Sequence, residues 1–315
     1  MIKTVNGYEI KPSAELKRAD LRNKNLINVD LSRADLSWAN LTGVDLSGSN
    51  LTGANLSWAT LVGADLTNTN FTGANLRNAD FKESTAKNAV FKSANLIHAT
   101  LSDASFSYVY LRNAKLSYAN ISCAFFNHCN LIGAELKGAN LMNANFSDSD
   151  FSYGDLRDAD LTNGDFRNAI FKGVDANDSS LVGANLTGAK LNGADFSRAN
   201  FTWGNFTDAD FTDTKLDEAE ILDGIFTGAI GLILPAKKPE VEQESGEVNY
   251  YEIEDGENIR YFSSSLPKKE IDEALKEYYK ANEEYGDYFS IPKMIDFLRY
   301  NLGLDVKEID FIKLE

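Results

Sequence analysis

Several residue types that commonly carry structure or catalysis are rare in this chain of 315 residues. Two cysteines are too few for a disulfide framework. Only two histidines, His98 and His128, are available for metal binding or acid–base chemistry. No apolar run reaches the roughly 18 residues that a transmembrane helix needs, and the N-terminus lacks the apolar core of a signal peptide. We therefore expect a cytoplasmic protein without a membrane partner.

The chain is instead dominated by a five-residue repeat that runs through residues 14–232 without an insertion. A clear copy is ADLSW, residues 34–38. We number the places of each unit first to fifth. The third place is Leu, Phe or Ile at 41 of the 43 centres from Leu16 to Phe226. So regular a pattern predicts that every unit has the same conformation.

A period of five fits neither a helix, with its apolar stripe at about 3.6 residues, nor a plain strand, at about 2. If the first three places are extended, the first and third side chains point to one side and the second to the other. The fourth and fifth places are rich in Ser, Thr, Gly and Asn, which favour a corner. The chain is therefore predicted to wind into a coil with apolar residues inside and polar residues outside.

The phenylalanine centres indicate how many units make one turn. Sorted at a period of 20 residues, 11 of the 14 fall into two adjacent columns, one of which contains Phe106, Phe126 and Phe146. A period of 15 spreads them more evenly. Four units per turn is the better interpretation, which predicts about eleven stacked turns spaced by about 4.8 Å.

The pattern A(D/N)LXX resembles that of the pentapeptide repeat proteins, and the resemblance covers residues 14–232. It implies a right-handed quadrilateral β-helix. The handedness is inferred from this resemblance and not from the periodicity. It implies less about activity, because function depends on sites placed on a fold. The best-understood members of the family protect bacterial DNA gyrase by resembling acidic duplex DNA.

The two ends of the chain differ from the repeat. Residues 1–13 are predicted to form a β-hairpin cap on the β-helix of residues 14–234, because Asn6-Gly7 is a strong hairpin signal. Residues 235–247 are interpreted as a charged linker. Residues 248–315 are predicted to form a small α+β module with a hairpin, two helices and a last strand. This module is expected to bind a partner, cap the rod or pair two copies into a homodimer. The predicted helices are residues 268–282 and 290–302.

The outward-facing pattern is broken in one stretch. Asp or Asn fills 27 of 43 second places, yet only three of the eleven in residues 84–138. Aromatic side chains occupy several outward places there, and an exposed aromatic patch is typical of a partner site. Neutral variation on a tolerant surface is the alternative. The candidate partner-binding residues of this aromatic belt are Tyr108, Tyr110, Tyr118, Phe125 and His128.

Two further outward features are interpreted separately. Trp38 and Trp58 lie 20 residues apart at fifth places and are predicted to stack, as a stabilising ladder rather than a ligand clamp. Charge is polarised: residues 1–140 carry a net +3 and residues 141–232 a net −10. Acidity repels nucleic acid and attracts basic protein surfaces, although it also serves solubility. The candidate acidic-face residues are Asp150, Asp155, Asp160 and Asp165.

The catalytic inventory is sparse. His98 and His128 are one and a half turns apart, Cys123 should point outward, and Cys129 should be a buried filler. We therefore expect no enzyme activity, no cofactor, no metal and no direct nucleic-acid binding. Two functions remain: a non-enzymatic protein-interaction scaffold, which we favour, and an acidic DNA mimic that binds a type II topoisomerase such as DNA gyrase.

Overall fold

The structure, a computed structural model, describes residues 3–233, 249–255, 258–264 and 306–309. Contacts between Cα atoms divide the chain into two compact units, Met1–Pro235 and Ala236–Glu315. The strands are β1 (Lys3–Val5), β2 (Tyr8–Ile10), β3 (Asn249–Asp255), β4 (Asn258–Ser264) and β5 (Val306–Ile309).

The first unit is a coil of parallel β-bridges. Each second-place residue pairs with the residue 20 positions later, beginning with Glu15 and Asp35 and ending with Asp210 and Ile230. Twenty residues are four units, so four short straight segments make each turn. The unit is the right-handed quadrilateral β-helix that the resemblance implied. We name its four faces A, B, C and D, starting from the units centred on Leu16, Leu21, Leu26 and Leu31, and name each corner by the faces it joins.

Backbone hydrogen bonds explain why the five-residue unit repeats so regularly. The N–H groups at the third and fifth places donate to carbonyls of the following turn. The second-place N–H donates to the preceding turn, and the first-place N–H closes a corner onto the carbonyl three residues earlier. Around Leu36 these bonds are 2.7 to 3.0 Å long. The fourth-place N–H is the one left without a backbone acceptor in this scheme.

Asp and Asn at the second place complete the scheme with a side chain. The Asp35 Oδ1 atom accepts the backbone N–H of Ser37 at 3.0 Å, and Asn145 Oδ1 accepts that of Ser147 at 2.9 Å. Many further second places make the same bond. The preference for Asp or Asn therefore reflects local capping of the backbone as well as solubility.

The core lies along the axis of the coil and consists of first-place and third-place residues. Phenylalanines in one column stack, as Phe106 and Phe126 do with ring centroids 5.0 Å apart. First and third places exchange volume. A Cβ atom added to Gly204 would lie 2.4 Å from Cε2 of Phe206, so the ring occupies the space that the glycine leaves.

The N-terminal strands β1 and β2 pair antiparallel across Asn6 and Gly7, at the predicted turn. Ile10 is buried, and Val5 and Tyr8 pack against the core. Asn6 Nδ2 donates to the carbonyl of Asp20 at 3.0 Å. The hairpin therefore has both apolar and polar contacts with the first turns of the β-helix.

The second unit contains an antiparallel sheet in the order β3-β4-β5. Strands β3 and β4 form the predicted hairpin, with Tyr251 opposite Phe262, and β5 pairs with β4 where a last strand was predicted. The linker predicted over residues 235–247 and the helices predicted over residues 268–282 and 290–302 lie outside the described residues.

Candidate functional site

Four of the five candidate partner-binding residues lie along one edge of the β-helix. Phe125 is at a second place of face C, Tyr108 and His128 are at the C–D corner, and Tyr110 is at a second place of face D. All four are exposed, with Tyr108 at 45% and Tyr110 and Phe125 at 54%. We call these four residues the Tyr108 edge.

The side chains at the corner of the Tyr108 edge are ordered by stacking. The rings of Tyr108 and His128, one turn apart, have centroids separated by 4.8 Å and planes inclined by 16°. His128 Nδ1 lies 3.9 Å from a carboxylate oxygen of Asp148 in the following turn. Lys87 Nζ lies 5.9 Å from the centroid of Tyr108, at the outer limit of a cation–π contact. The corner presents ring edges together with a cation.

Tyr118, the fifth candidate, is placed elsewhere. It follows Tyr108 by ten residues, which is half a turn, so it lies at the opposite A–B corner. There it stacks on His98, with centroids 5.3 Å apart. The aromatic belt predicted from the sequence is therefore two separate edges, because aromatic residues share an edge when they are 20 residues apart.

The A–B corner carries a longer column of side chains than the predicted Trp38–Trp58 pair. Trp38 and Trp58 stack as predicted, with centroids 5.0 Å apart and planes inclined by 6°. Their column continues through Asn78 to His98 and Tyr118. The 20-residue spacing of these five positions is the sequence signal for a single column that joins the tryptophans to the central aromatic residues. Tyr153, which is 63% exposed, is a further surface aromatic that the sequence prediction did not include.

The corner aromatics have the left-handed backbone conformation that the fifth places of the repeat share. The φ angle is 60° at Tyr108, 57° at His128 and 59° at Tyr118, in the left-handed region. Glycine occupies many equivalent places, such as Gly133. A bulky side chain there costs about 1 kcal/mol or more relative to glycine. Local backbone preference therefore does not account for these aromatic residues.

The second-place aromatic residues also lack the hydrogen bond that Asp or Asn makes to the fourth-place backbone N–H. Phe125 and Tyr110 carry no side-chain oxygen that could accept the N–H of the fourth place, as Asp and Asn do elsewhere. One turn later, Asn145 fills the place equivalent to Phe125 and makes this bond. A hydrogen bond of this kind is worth about 0.5 to 1.5 kcal/mol net. The Tyr108 edge therefore departs from the stabilising pattern at several of its places.

The four candidate acidic residues do not share a face. Successive units turn onto successive faces, so Asp150 lies on D, Asp155 on A, Asp160 on B and Asp165 on C. Two of them are paired. The Arg157 Nη2 atom lies 2.6 Å from an oxygen of Asp155, and Arg167 Nη2 lies 2.6 Å from an oxygen of Asp165. These side-chain hydrogen bonds lower the pKa of Asp155 and of Asp165 below the usual range.

Acidic residues that do share a face occur at 20-residue spacing. Asp155, Asp175 and Asp195 form a column on face A. Cations bridge this column: Arg157 Nε lies 3.5 Å from Asp175, and Lys215 Nζ lies 3.1 Å from Asp195. The acidic part of face A is thus partly neutralised by its own side chains.

The described residues offer little catalytic chemistry. His98 and His128 project from opposite corners, and Cys123 is exposed whereas Cys129 is buried, as predicted. Burial raises the pKa of the Cys129 thiol to about 12. Within residues 3–233 and the three described strands beyond them, no group of three or more His, Cys, Asp and Glu could hold a metal ion. The same residues include no helix long and apolar enough to cross a membrane.

The sequence matches two family descriptions. "Pentapeptide repeats" matches residues 13–48, 49–85, 87–117 and 194–230, and "Pentapeptide repeat region" matches residues 104–181. Together these matches span well over half of the chain. No curated protein sequence matches it.

Solved structures of several repeat proteins are similar. HetL, a pentapeptide repeat protein involved in heterocyst differentiation regulation from the cyanobacterium Nostoc sp. Strain PCC 7120, is 27% identical, with 65% of this chain and 90% of HetL covered and a TM-score of 0.43. Full-length QnrB1, a plasmid-mediated fluoroquinolone resistance protein, is 21% identical, with 61% and 92% covered and a TM-score of 0.24. A pentapeptide repeat protein from the Arabidopsis thaliana thylakoid lumen is 31% identical, with 38% and 69% covered and a TM-score of 0.14.

Proposed function

The chain belongs to the pentapeptide repeat family, and from that premise we propose that it is a non-enzymatic scaffold that binds a protein partner through the Tyr108 edge. Proteins of this family are generally structural or interaction proteins. The β-helix supplies a rigid surface in which each outward side chain has a position set by the repeat. A partner can therefore contact side chains of several turns at the same time.

The observation that carries the proposal is the departure of the Tyr108 edge from the stabilising pattern. Phe125 and Tyr110 replace residues that would cap a backbone N–H, and both rings are 54% exposed. Tyr108 and His128 occupy a backbone conformation that favours glycine. Tyr108 and His128 stabilise each other by stacking, but Phe125 and Tyr110 bring no such local gain. Large aromatic side chains supply much of the binding energy at protein interfaces.

The chemistry of the Tyr108 edge indicates the kind of partner surface that fits it. Exposed rings require an apolar pocket or a flat apolar patch on the partner. Lys87, beside Tyr108, and Arg112, beside Tyr110, add positive charge at the rim. A partner patch with an apolar centre and acidic residues at its border would complement this surface.

The alternative function is mimicry of acidic duplex DNA toward a type II topoisomerase such as DNA gyrase. The net charge of −10 over residues 141–232 favours it. Against it, the candidate acids face four directions, and arginines pair with Asp155 and Asp165. A mimic of duplex DNA needs unpaired negative charge along a continuous surface.

The second unit is proposed to contribute association between copies. Of its three described strands, β3 and β5 form the two edges of the sheet. Edge strands pair readily with another chain because their backbone groups on one side are unpaired. We propose that two copies associate through this unit, while the Tyr108 edge binds the partner.

The proposal can be tested once cross-linking mass spectrometry in native lysate has identified a partner. The test variant is Phe125→Asn with Tyr110→Asn, which restores the capping residue at both second places and removes both rings. The matched control is Tyr153→Gly, which removes an exposed ring outside the edge. We expect the test variant to lose at least about 2 kcal/mol of binding per ring, or about thirtyfold. The control should bind as the wild type does.

A charge variant separates the two candidate functions. Replacing Asp155, Asp160 and Asp165 by Asn neutralises three charges and keeps an oxygen for each cap. Under the Tyr108-edge proposal, this variant binds normally and added salt has little effect. Weak binding by the charge variant, with strong salt dependence and normal binding by the aromatic variant, would overturn the proposal in favour of DNA mimicry. A gyrase supercoiling assay then tests that alternative directly.

A further inference from the structure

The A–B corner carries an aromatic ladder with one rung missing. Trp38 and Trp58 stack with centroids 5.0 Å apart, and His98 and Tyr118 stack with centroids 5.3 Å apart. Asn78 occupies the turn between the two stacks. The corner therefore presents two ring stacks in one column, separated by a single short side chain.

The spacing of the turns gives the distance between the rings on either side of Asn78. Turns repeat at about 4.8 Å, so the rings of Trp58 and His98, two turns apart, are separated by about 10 Å. A planar ring inserted midway would lie about 5 Å from each neighbour, within the 4.5 to 7 Å range of favourable aromatic pairs. Asn78 is partly buried but is too short to extend as far outward as the rings on either side. The outer part of the gap is therefore open to one planar group.

One neighbouring cation can pair with an anionic ligand. Arg77 precedes Asn78, is exposed, and has no ion-pair partner among the described residues. On the next face, Lys82 pairs with Glu83, while Asp80 accepts the backbone N–H of Lys82. Arg77 is thus the cation of this turn that remains available, and a guanidinium binds a phosphate or a carboxylate through paired hydrogen bonds.

We propose that the gap above Asn78 binds a small planar ring that carries an anionic group. The ring stacks between Trp58 and His98, and the anion pairs with Arg77. A nucleoside phosphate and an aromatic carboxylate share this chemistry. The site is half a turn away from the Tyr108 edge and does not depend on the partner proposed there.

The indole N–H signals of the tryptophans provide a direct readout by nuclear magnetic resonance. The full chain contains three tryptophans, and Trp203 lies far along the rod, with its Nε1 atom hydrogen bonded to Asp223. Adenosine monophosphate and indole-3-acetate are titrated separately, with adenosine as the uncharged counterpart. We expect one or both anionic probes to shift Trp58 most, Trp38 less and Trp203 not at all. The anionic probe that binds more tightly indicates whether the ligand is a nucleoside phosphate or an aromatic carboxylate.

Three variants make the site falsifiable. Asn78→Trp completes the ladder in a conformation that Trp38 and Trp58 already adopt, and it should weaken probe binding by about tenfold or more. Asn78→Gly leaves the gap open and should retain binding. Arg77→Gln should weaken the anionic probes to the level of adenosine.

Several outcomes would overturn the inference. Undiminished binding by Asn78→Trp would place the probe elsewhere, and equal shifts of Trp203 and Trp58 would indicate nonspecific contact. Equal binding of adenosine and adenosine monophosphate by the wild type would remove the requirement for an anion. No shift with either anionic probe at millimolar concentration would mean that the gap is only hydrated. If Asn78→Trp does not fold, His98→Gly removes one ring of the site and must weaken binding by a similar factor.

Discussion

Asn145 Oδ1 accepts the backbone N–H of Ser147 at 2.9 Å, while one turn earlier Phe125 stands at the equivalent place and cannot make this bond. We therefore expect Phe125→Asn to raise the free energy of unfolding by about 0.5 to 1.5 kcal/mol, the net value of one such bond. Urea denaturation measures the change. Phe125→Ala is the control, because it removes the ring without supplying an acceptor. A Phe125→Asn protein no more stable than Phe125→Ala would contradict the capping role.

The core between turns should respond strongly to a cavity. Leu116 is fully buried at the third place, so Leu116→Ala should cost about 2 to 5 kcal/mol of unfolding free energy. Ser117, the next residue, faces outward, and Ser117→Ala should change stability by about 0.5 kcal/mol or less. Thermal and chemical denaturation of the two variants provide the comparison. Similar losses of unfolding free energy in both variants would contradict the assignment of Leu116 to the core and of Ser117 to the surface.

The exchange of volume between first and third places predicts an energetic coupling. A Cβ atom at residue 204 would lie 2.4 Å from Cε2 of Phe206, so Gly204→Ala should cost about 1 to 3 kcal/mol by overpacking. The same change in the Phe206→Leu background should cost clearly less, because the ring is gone. A double-mutant cycle measures the difference. Equal costs in both backgrounds would show that the glycine is not needed for the ring.

The fold could be predicted from the sequence because one constraint recurs in every unit. An apolar centre each five residues, with a small residue two places earlier, is compatible with a four-sided coil and not with a helix or flat sheet. The column of Phe106 and Phe126 identified the number of faces, and their stacking at 5.0 Å confirms it. Handedness does not follow from periodicity, and family resemblance supplied it.

The candidate surface was only partly predictable. Exposure of Tyr108 and Tyr110 follows from their places in the repeat, but grouping Tyr118 with them overlooked the half turn between residues 108 and 118. Phe125 lacks the hydrogen bond that Asp or Asn makes to the fourth-place N–H. That bond depends on the conformation of the corner, which a pattern of polar residues does not reveal. Pairing of Asp155 with Arg157 likewise depends on side-chain geometry rather than on composition.

The two cysteines should differ sharply in reactivity. Cys123 is exposed at a fifth place, whereas burial raises the pKa of Cys129 to about 12, which keeps it a thiol at ordinary pH. Because the thiolate is the reactive form, iodoacetamide should modify Cys123 alone in the native protein at pH 8. Peptide mass spectrometry measures the modification. In urea both residues should react, and native modification of Cys129 in a Cys123→Ser protein would contradict its burial.

Acid should destabilise the β-helix partly through the arginine-paired carboxylates. Hydrogen bonds from Arg157 and Arg167 lower the pKa of Asp155 and of Asp165 in the folded protein. An unfolded aspartate has a pKa of about 3.9, so as pH falls the unfolded chain takes up these protons first. The stabilisation is therefore complete above about pH 5 and is lost as pH falls through 3.9 toward the lower folded value.

Removing both arginines should reduce this acid dependence. We expect Arg157→Gln with Arg167→Gln to lower the midpoint of thermal unfolding at pH 7. The double variant should differ less from the wild type as the pH falls below about 3.9, because protonation of Asp155 and Asp165 weakens the wild-type pairs. Thermal unfolding followed by circular dichroism across this pH range measures the difference. Arg33→Gln is the matched control, because no acidic partner pairs with Arg33 among the described residues. If the difference in unfolding midpoint between the double variant and the wild type stays constant with pH, the ion pairs do not determine the acid response.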